Sequence, residues 1–96
     1  MGNQFFVFRG IDRPDSARLR EELTPRHRDY VRNSRMIVML HGGPLYGVEG
    51  ETIGTCLILA APSKADITDW LEKAPFYSAG LFGSTTVEHW GWTYGR

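Results

Sequence analysis

The sequence predicts an α+β domain with the element order β-α-β-β-α-β. Three observations point to it. Short runs dense in Phe, Val, Ile and Leu recur along the chain, each closed by Pro, Gly or Asp. Helix-permissive segments separate the first run from the second and the third from the last, and the later segment carries an i, i+3, i+4 apolar stripe. The two middle runs are joined only by a polar, Gly-rich stretch, as in a hairpin.

Gln4 to Ile11 reads as the first strand, closed by Asp12-Arg13-Pro14-Asp15. Phe5, Val7 and Ile11 fall on one face and Phe6 and Phe8 on the other, so both faces carry apolar bulk. Thr24-Pro25 has the form of an N-cap followed by Pro at the first helical position. Residues 17–33 are therefore expected to form one kinked helix or two short ones. Met36 to Leu40 reads as the second strand, stopped by Gly42-Gly43-Pro44, and Ile53 to Ala60 as the third. Pro62-Ser63 opens a second helix, where Ser63-Lys64-Ala65-Asp66 is a variant capping box and Ile67, Trp70 and Leu71 form the apolar stripe. Ala74-Pro75 ends that helix. Thr85 to Trp90 alternates as a last strand, ahead of a tail containing Trp92 and Tyr94.

This order is the split βαβ arrangement of ferredoxin-like domains, with a four-stranded antiparallel sheet and two helices on one face. Strand residues such as Phe5/Phe6, Ile37/Val38, Leu57/Ile58 and Val87 with Trp90 suggest that both sheet faces are apolar. A monomer would leave one such face wet, so a homodimer is expected, packed sheet to sheet with Trp92 or Tyr94 at its rim.

Composition narrows the partners. The 96 residues are read as one domain spanning 1–96, with 42% hydrophobic and 12% aromatic residues. The 11 basic and 11 acidic residues give a net charge of +0, so no global field draws the chain to nucleic acid or to a membrane surface. A small molecule and a second copy are the expected partners. Cys56, the single cysteine, lies between apolar neighbours and reads as a buried thiol in a reducing compartment. The apolar run from Phe5 ends at Arg9, too early for a signal peptide, which suggests a cytoplasmic protein.

His27, His41 and His89 are scattered, and no HxxxH or CxxC spacing, P-loop or dinucleotide fingerprint occurs, so no metal and no cofactor is expected. The most informative pair is Asp12, just past the first strand, and His27, after Thr24-Pro25. If folding joins them, the carboxylate fixes the imidazole tautomer and makes the free nitrogen a general base near neutral pH. Each also has a plainer role, Asp12 as a turn residue and His27 as a solvated helix residue between Arg26 and Arg28. Arg9 could meet a substrate anion, meet a carboxylate across the dimer or simply pack its stem; Arg20 could bind substrate, clamp Asp12 or stay solvated.

The run Gly10-Ile11-Asp12, followed by Asp15-Ser16, Arg20, Pro25 and His27, then Gly42-Gly43-Pro44-Leu45, Ala74-Pro75-Phe76-Tyr77 and Val87-Glu88-His89-Trp90, resembles the YciI-like (YCII-related) family over nearly the whole chain. The resemblance implies ferredoxin-like protomers paired as a dimeric α/β barrel. It implies Asp12 and His27 as the active-site pair; Arg20, Arg9, Gly43, Pro75 and Phe76 are the expected substrate contacts. It also implies a cofactor-independent lyase acting on a small oxygenated aromatic, such as dehydrochlorination of a chlorinated hydroxyhydroquinone to a hydroxybenzoquinone. A muconolactone-isomerase-like isomerase and a non-catalytic small-molecule-binding or accessory domain are the alternatives. Ala74 departs from the family's usual Asp before the Pro-aromatic pair, removing a carboxylate that could face the cleft.

Overall fold

In the computed structural model, which describes residues 3–95, the chain runs β1 (Gln4–Asp12), α1 (Ala17–Arg32), β2 (Val38–Tyr46), β3 (Thr52–Ala61), α2 (Lys64–Lys73), α3 (Pro75–Ser78) and β4 (Phe82–Trp90). Residues 1, 2 and 96 of the expected unit lie outside the described residues. The strands form one antiparallel sheet in the order β2-β3-β1-β4, the ferredoxin-like topology expected.

Strand alternation sets which face carries the helices. Phe6 and Phe8 are 1% exposed and pair across the β1–β3 ladder with Leu59 and Leu57. These four side chains meet Ile67, Trp70 and Leu71 of α2, with Tyr30 and Val31 of α1 packed against them. The expected stripe on α2 is therefore the one that is buried. A smaller cluster of Leu23, Phe76 and Leu81 ties α1 to α3. The Tyr30 hydroxyl donates to the Trp70 carbonyl at 2.6 Å and so links α1 to α2 where apolar contact ends.

Several boundaries differ from the sequence reading. Of the two alternatives for residues 17–33 the single helix forms, and Pro25 lies inside it, not at a helix start. Thr24 does not cap it; its hydroxyl donates back to the Arg20 carbonyl at 2.7 Å, the i−4 bond open to a Thr within a helix. Pro25 leaves the Glu21 carbonyl without its helical N–H, and Glu21 is exposed, where water can satisfy that group. Strand β2 begins at Val38 and continues through Gly42-Gly43-Pro44 to Tyr46. Proline is tolerated there because β2 is an edge strand. Pro75 starts the short α3, an element the sequence reading took for a simple stop. Ser63 does cap α2, accepting from the Asp66 N–H at 3.2 Å.

The second sheet face carries Phe5, Val7, Arg9 and Ile11 from β1, and the residues paired with them on β3, including Cys56 and Ile58. Val38 and His41 of β2 share that face. Leu57 and Val87, by contrast, belong to the helix side. On β4 the residues opposite Val7, Arg9 and Ile11 are Glu88, Thr86 and Ser84, so the apolar patch is narrower than expected. The tail folds back over it: the Trp92 ring lies 5.5 Å from Phe5 and 5.9 Å from Trp90, while Tyr94 stays exposed. Cys56 is half-buried on this face, not part of the core. Among the described residues, no helix is long and apolar enough to cross a membrane.

The tightest backbone approach is at Gly54, where a Cβ would sit 2.2 Å from the Gly10 carbonyl oxygen of β1. Backbone cannot yield as a side-chain tip does, so Gly54→Ala should cost about 3 kcal/mol, the upper end of overpacking penalties. Gly43→Ala, where nothing lies within 4 Å, should be tolerated. Urea unfolding of the two variants checks the contrast.

Candidate active site

Strand β1 ends at Asp12, where its register with β4 shifts, and α1 starts at Ala17. The first turn of α1 thus brings Arg20 back to the strand end. Its guanidinium grips the Asp12 carboxylate with both arms, Nε to Oδ2 at 2.7 Å and Nη2 to Oδ1 at 2.9 Å. Nη2 also donates to the Thr55 hydroxyl of β3 at 2.8 Å. The Arg20 and Asp12 side chains are only 15% and 8% exposed, so this is a desolvated, geometrically specific pair. The same guanidinium lies 4.8 Å from the centroid of the Phe76 ring, within cation–π range.

His27 follows Arg20 by two turns on the same side of α1 and is 8% exposed. Its ring stacks on Phe76 with centroids 3.8 Å apart and planes 9° from parallel. Nδ1 accepts the Phe76 backbone N–H at 3.4 Å, which assigns the proton of the neutral imidazole to Nε2. Burial, helped by the positive charge of Arg20, lowers the His27 pKa from 6.5 to about 4. The ring is therefore neutral across the physiological range, with an N–H to offer.

Arg20 and His27 open onto a cleft of about 500 Å³ between α1 and the β2 edge. Thr24 and Val31 continue the helical wall; Gly42, Gly43 and Pro44 form the strand wall. Phe76, Leu57 and Met39 supply apolar surface. Among the described residues, no group of three or more His, Cys, Asp or Glu side chains could hold a metal ion.

The expected Asp12–His27 hydrogen bond is not present. The Asp12 oxygens are taken by Arg20 and His27 Nδ1 by Phe76, so the two residues are connected only through the Arg20–Phe76 contact. Of the other expected site residues, Arg20, Gly43 and Phe76 line the cleft. Pro75 sets the start of α3 and is not in the lining. Arg9 sits on the opposite sheet face, because β1 alternation turns it away from Phe8. His41 packs against Trp92 on that face, and His89 against Phe6. The sequence reading missed Thr24, Arg28, Arg32 and Thr55. The first three share with Arg20, His27 and Val31 a spacing of three to four residues, the signal of one helix face; Thr55 gives no such signal.

Residues 4–91 match the YCII-related domain, and the chain belongs to that family. Among solved structures it is similar to 5-chloro-2-hydroxyhydroquinone dehydrochlorinase from Burkholderia phenoliruptrix AC1100, determined in complex with 2,5-dihydroxybenzoquinone. The two are 30% identical with a TM-score of 0.82, over 91% of this chain and 93% of that one. No curated protein matches the chain.

The depressed His27 pKa has a consequence for stability. Between about pH 4 and 6.5 the unfolded chain binds a proton that the folded chain refuses. Folding stability is therefore undiminished above pH 6.5 and falls as pH drops toward 4, by roughly 3 kcal/mol in total. Urea unfolding at pH 7 and pH 4.5 should show this loss, and His27→Gln should remove most of it. An unchanged pH slope in His27→Gln would refute the assignment.

Proposed function

We propose that the chain is a cofactor-independent lyase that eliminates hydrogen chloride from a chlorinated hydroxyhydroquinone, giving a hydroxybenzoquinone. The observation that carries the proposal is the Asp12–Arg20–Phe76–His27 assembly opening on an apolar-walled cleft of small-molecule size. The likeness to a dehydrochlorinase supports the choice of reaction.

The chemistry balances without an oxidant. One phenolic oxygen loses its proton, and the carbon bearing chlorine gains one as the ring becomes a keto tautomer. A second phenolic O–H then loses its proton, and its electrons expel chloride. What the site must do is hold negative charge on a ring oxygen and move protons. Arg20, already fixed by Asp12 and Thr55, supplies a preorganised positive group at the cleft wall. His27 in its neutral form offers Nε2–H to an oxygen as charge develops, then exchanges protons with it. Asp12 is in this reading a positioning residue that acts through Arg20, not a partner that orients His27.

Chloride release from a chlorinated hydroxyhydroquinone tests the proposal. His27→Ala should slow it about a hundred- to ten-thousand-fold while the protein stays folded. Full activity in folded His27→Ala would sink it. A second reading, binding without turnover, draws on the absence of an Asp12–His27 bond; tight quinone binding with no chloride release would favour it.

We also propose that a second copy covers the open sheet face, with Trp92 in the seam. Exposed Val38 beside half-buried Phe5, Val7 and Ile58 supports this. Sedimentation at micromolar concentration should give a dimer, and Val38→Glu should shift it to monomer. A wild-type chain that sediments as a monomer would overturn the assembly.

A further inference from the structure

The cleft holds more positive charge than the chemistry above employs. Arg28 and Arg32 both line it, one turn apart on α1, with a rise of about 6 Å between them. Arg20 is neutralised by Asp12 and Arg18 is paired with Glu22, but among the described residues neither Arg28 nor Arg32 forms an ion pair. Among the described residues, no Asp or Glu lines the cleft. Like charges at i and i+4 work against a helix. Arg32 lies in the last turn, where the helix dipole favours a cation, but Arg28 sits a turn earlier and lacks that compensation. In a chain of net charge +0 this is a local concentration, and a cleft focuses its field inward.

We infer that Arg28 and Arg32 form an anion-recognition rim, and that the hydroxylated ring the cleft takes is a derivative bearing a carboxylate in addition to the hydroxyls and chlorine used by the chemistry above. The inference rests on the reading of the cleft as a site for oxygenated aromatics and adds the group that orients the ring. Phe76, Val31, Leu57 and Met39 give the apolar surface that a ring needs, so a bare inorganic anion would leave most of the cleft unused. Guanidinium forks match a carboxylate in geometry. With the carboxylate on the rim, the ring extends along α1 toward His27 and Arg20.

Two probes that differ only in the carboxylate test this: 2,5-dihydroxybenzoate and 1,4-dihydroxybenzene, titrated calorimetrically into the full chain. The acid should bind at least tenfold more tightly, and the advantage should shrink with added salt. Arg28→Gln/Arg32→Gln should abolish the advantage and leave binding of the neutral ring intact; both residues are exposed, and circular dichroism checks that the fold is kept. Equal binding of the two probes, or a preference that survives the double substitution, overturns the anion rim while leaving the aromatic cleft standing. Failure of both probes to bind overturns both readings. A carboxylate preference in a protein that releases no chloride sinks the proposed lyase reaction but not the rim.

Discussion

The two-pronged ion pair between Asp12 and Arg20 is the interaction around which the rest of the molecule is arranged. It joins the end of β1 to the first turn of α1, and through Thr55 it reaches β3. The start of the helix that walls the cleft is thus tied to two adjacent strands at one point. Breaking a buried pair from one side typically costs about 3–5 kcal/mol, because a charge is left without water or partner. The pair also decides the electrostatics next door, since Arg20 helps keep His27 neutral. Structure and chemistry here both depend on Asp12 and Arg20.

Much of the fold was legible because it rests on local pattern. Phe6 and Phe8 against Phe5 and Val7 revealed a two-faced strand, and Ile67, Trp70 and Leu71 revealed a helix stripe. The misread boundaries have a common cause: Pro25 was taken as a helix start and Pro44 as a strand stop. Pro25 sits where the orphaned carbonyl faces water, and Pro44 sits on a sheet edge, so neither exacts its usual cost. These are tertiary circumstances that a single sequence does not display.

The candidate site was half legible. Asp12, Arg20, His27, Gly43 and Phe76 were all singled out, and all but Asp12 line the cleft. The wiring among them was left open, because two donors, Arg20 and His27, compete for one carboxylate. Arg20 wins: its rigid fork matches both oxygens at once, whereas an imidazole offers one donor and here is stripped of its charge by burial. Arg9 lies outside the cleft for a simpler reason, the period-two alternation of β1, which places it on the face opposite Phe8. Stacking of Phe76 on His27 depended on α3, a single turn with too little length to announce itself.

The Gly42-Gly43-Pro44 segment that walls the cleft also lies on one edge of the sheet. An exposed margin with a regular row of donors and acceptors invites another chain to add itself as a further strand. Pro44 has no N–H to offer such a strand, and the register shift between Met39 and His41 breaks the row a few residues earlier. The same stretch that leaves the cleft open to a small ring therefore makes this edge of the sheet a poor template for runaway strand addition. Protection against fibre growth and access for a ligand are met by one short piece of backbone.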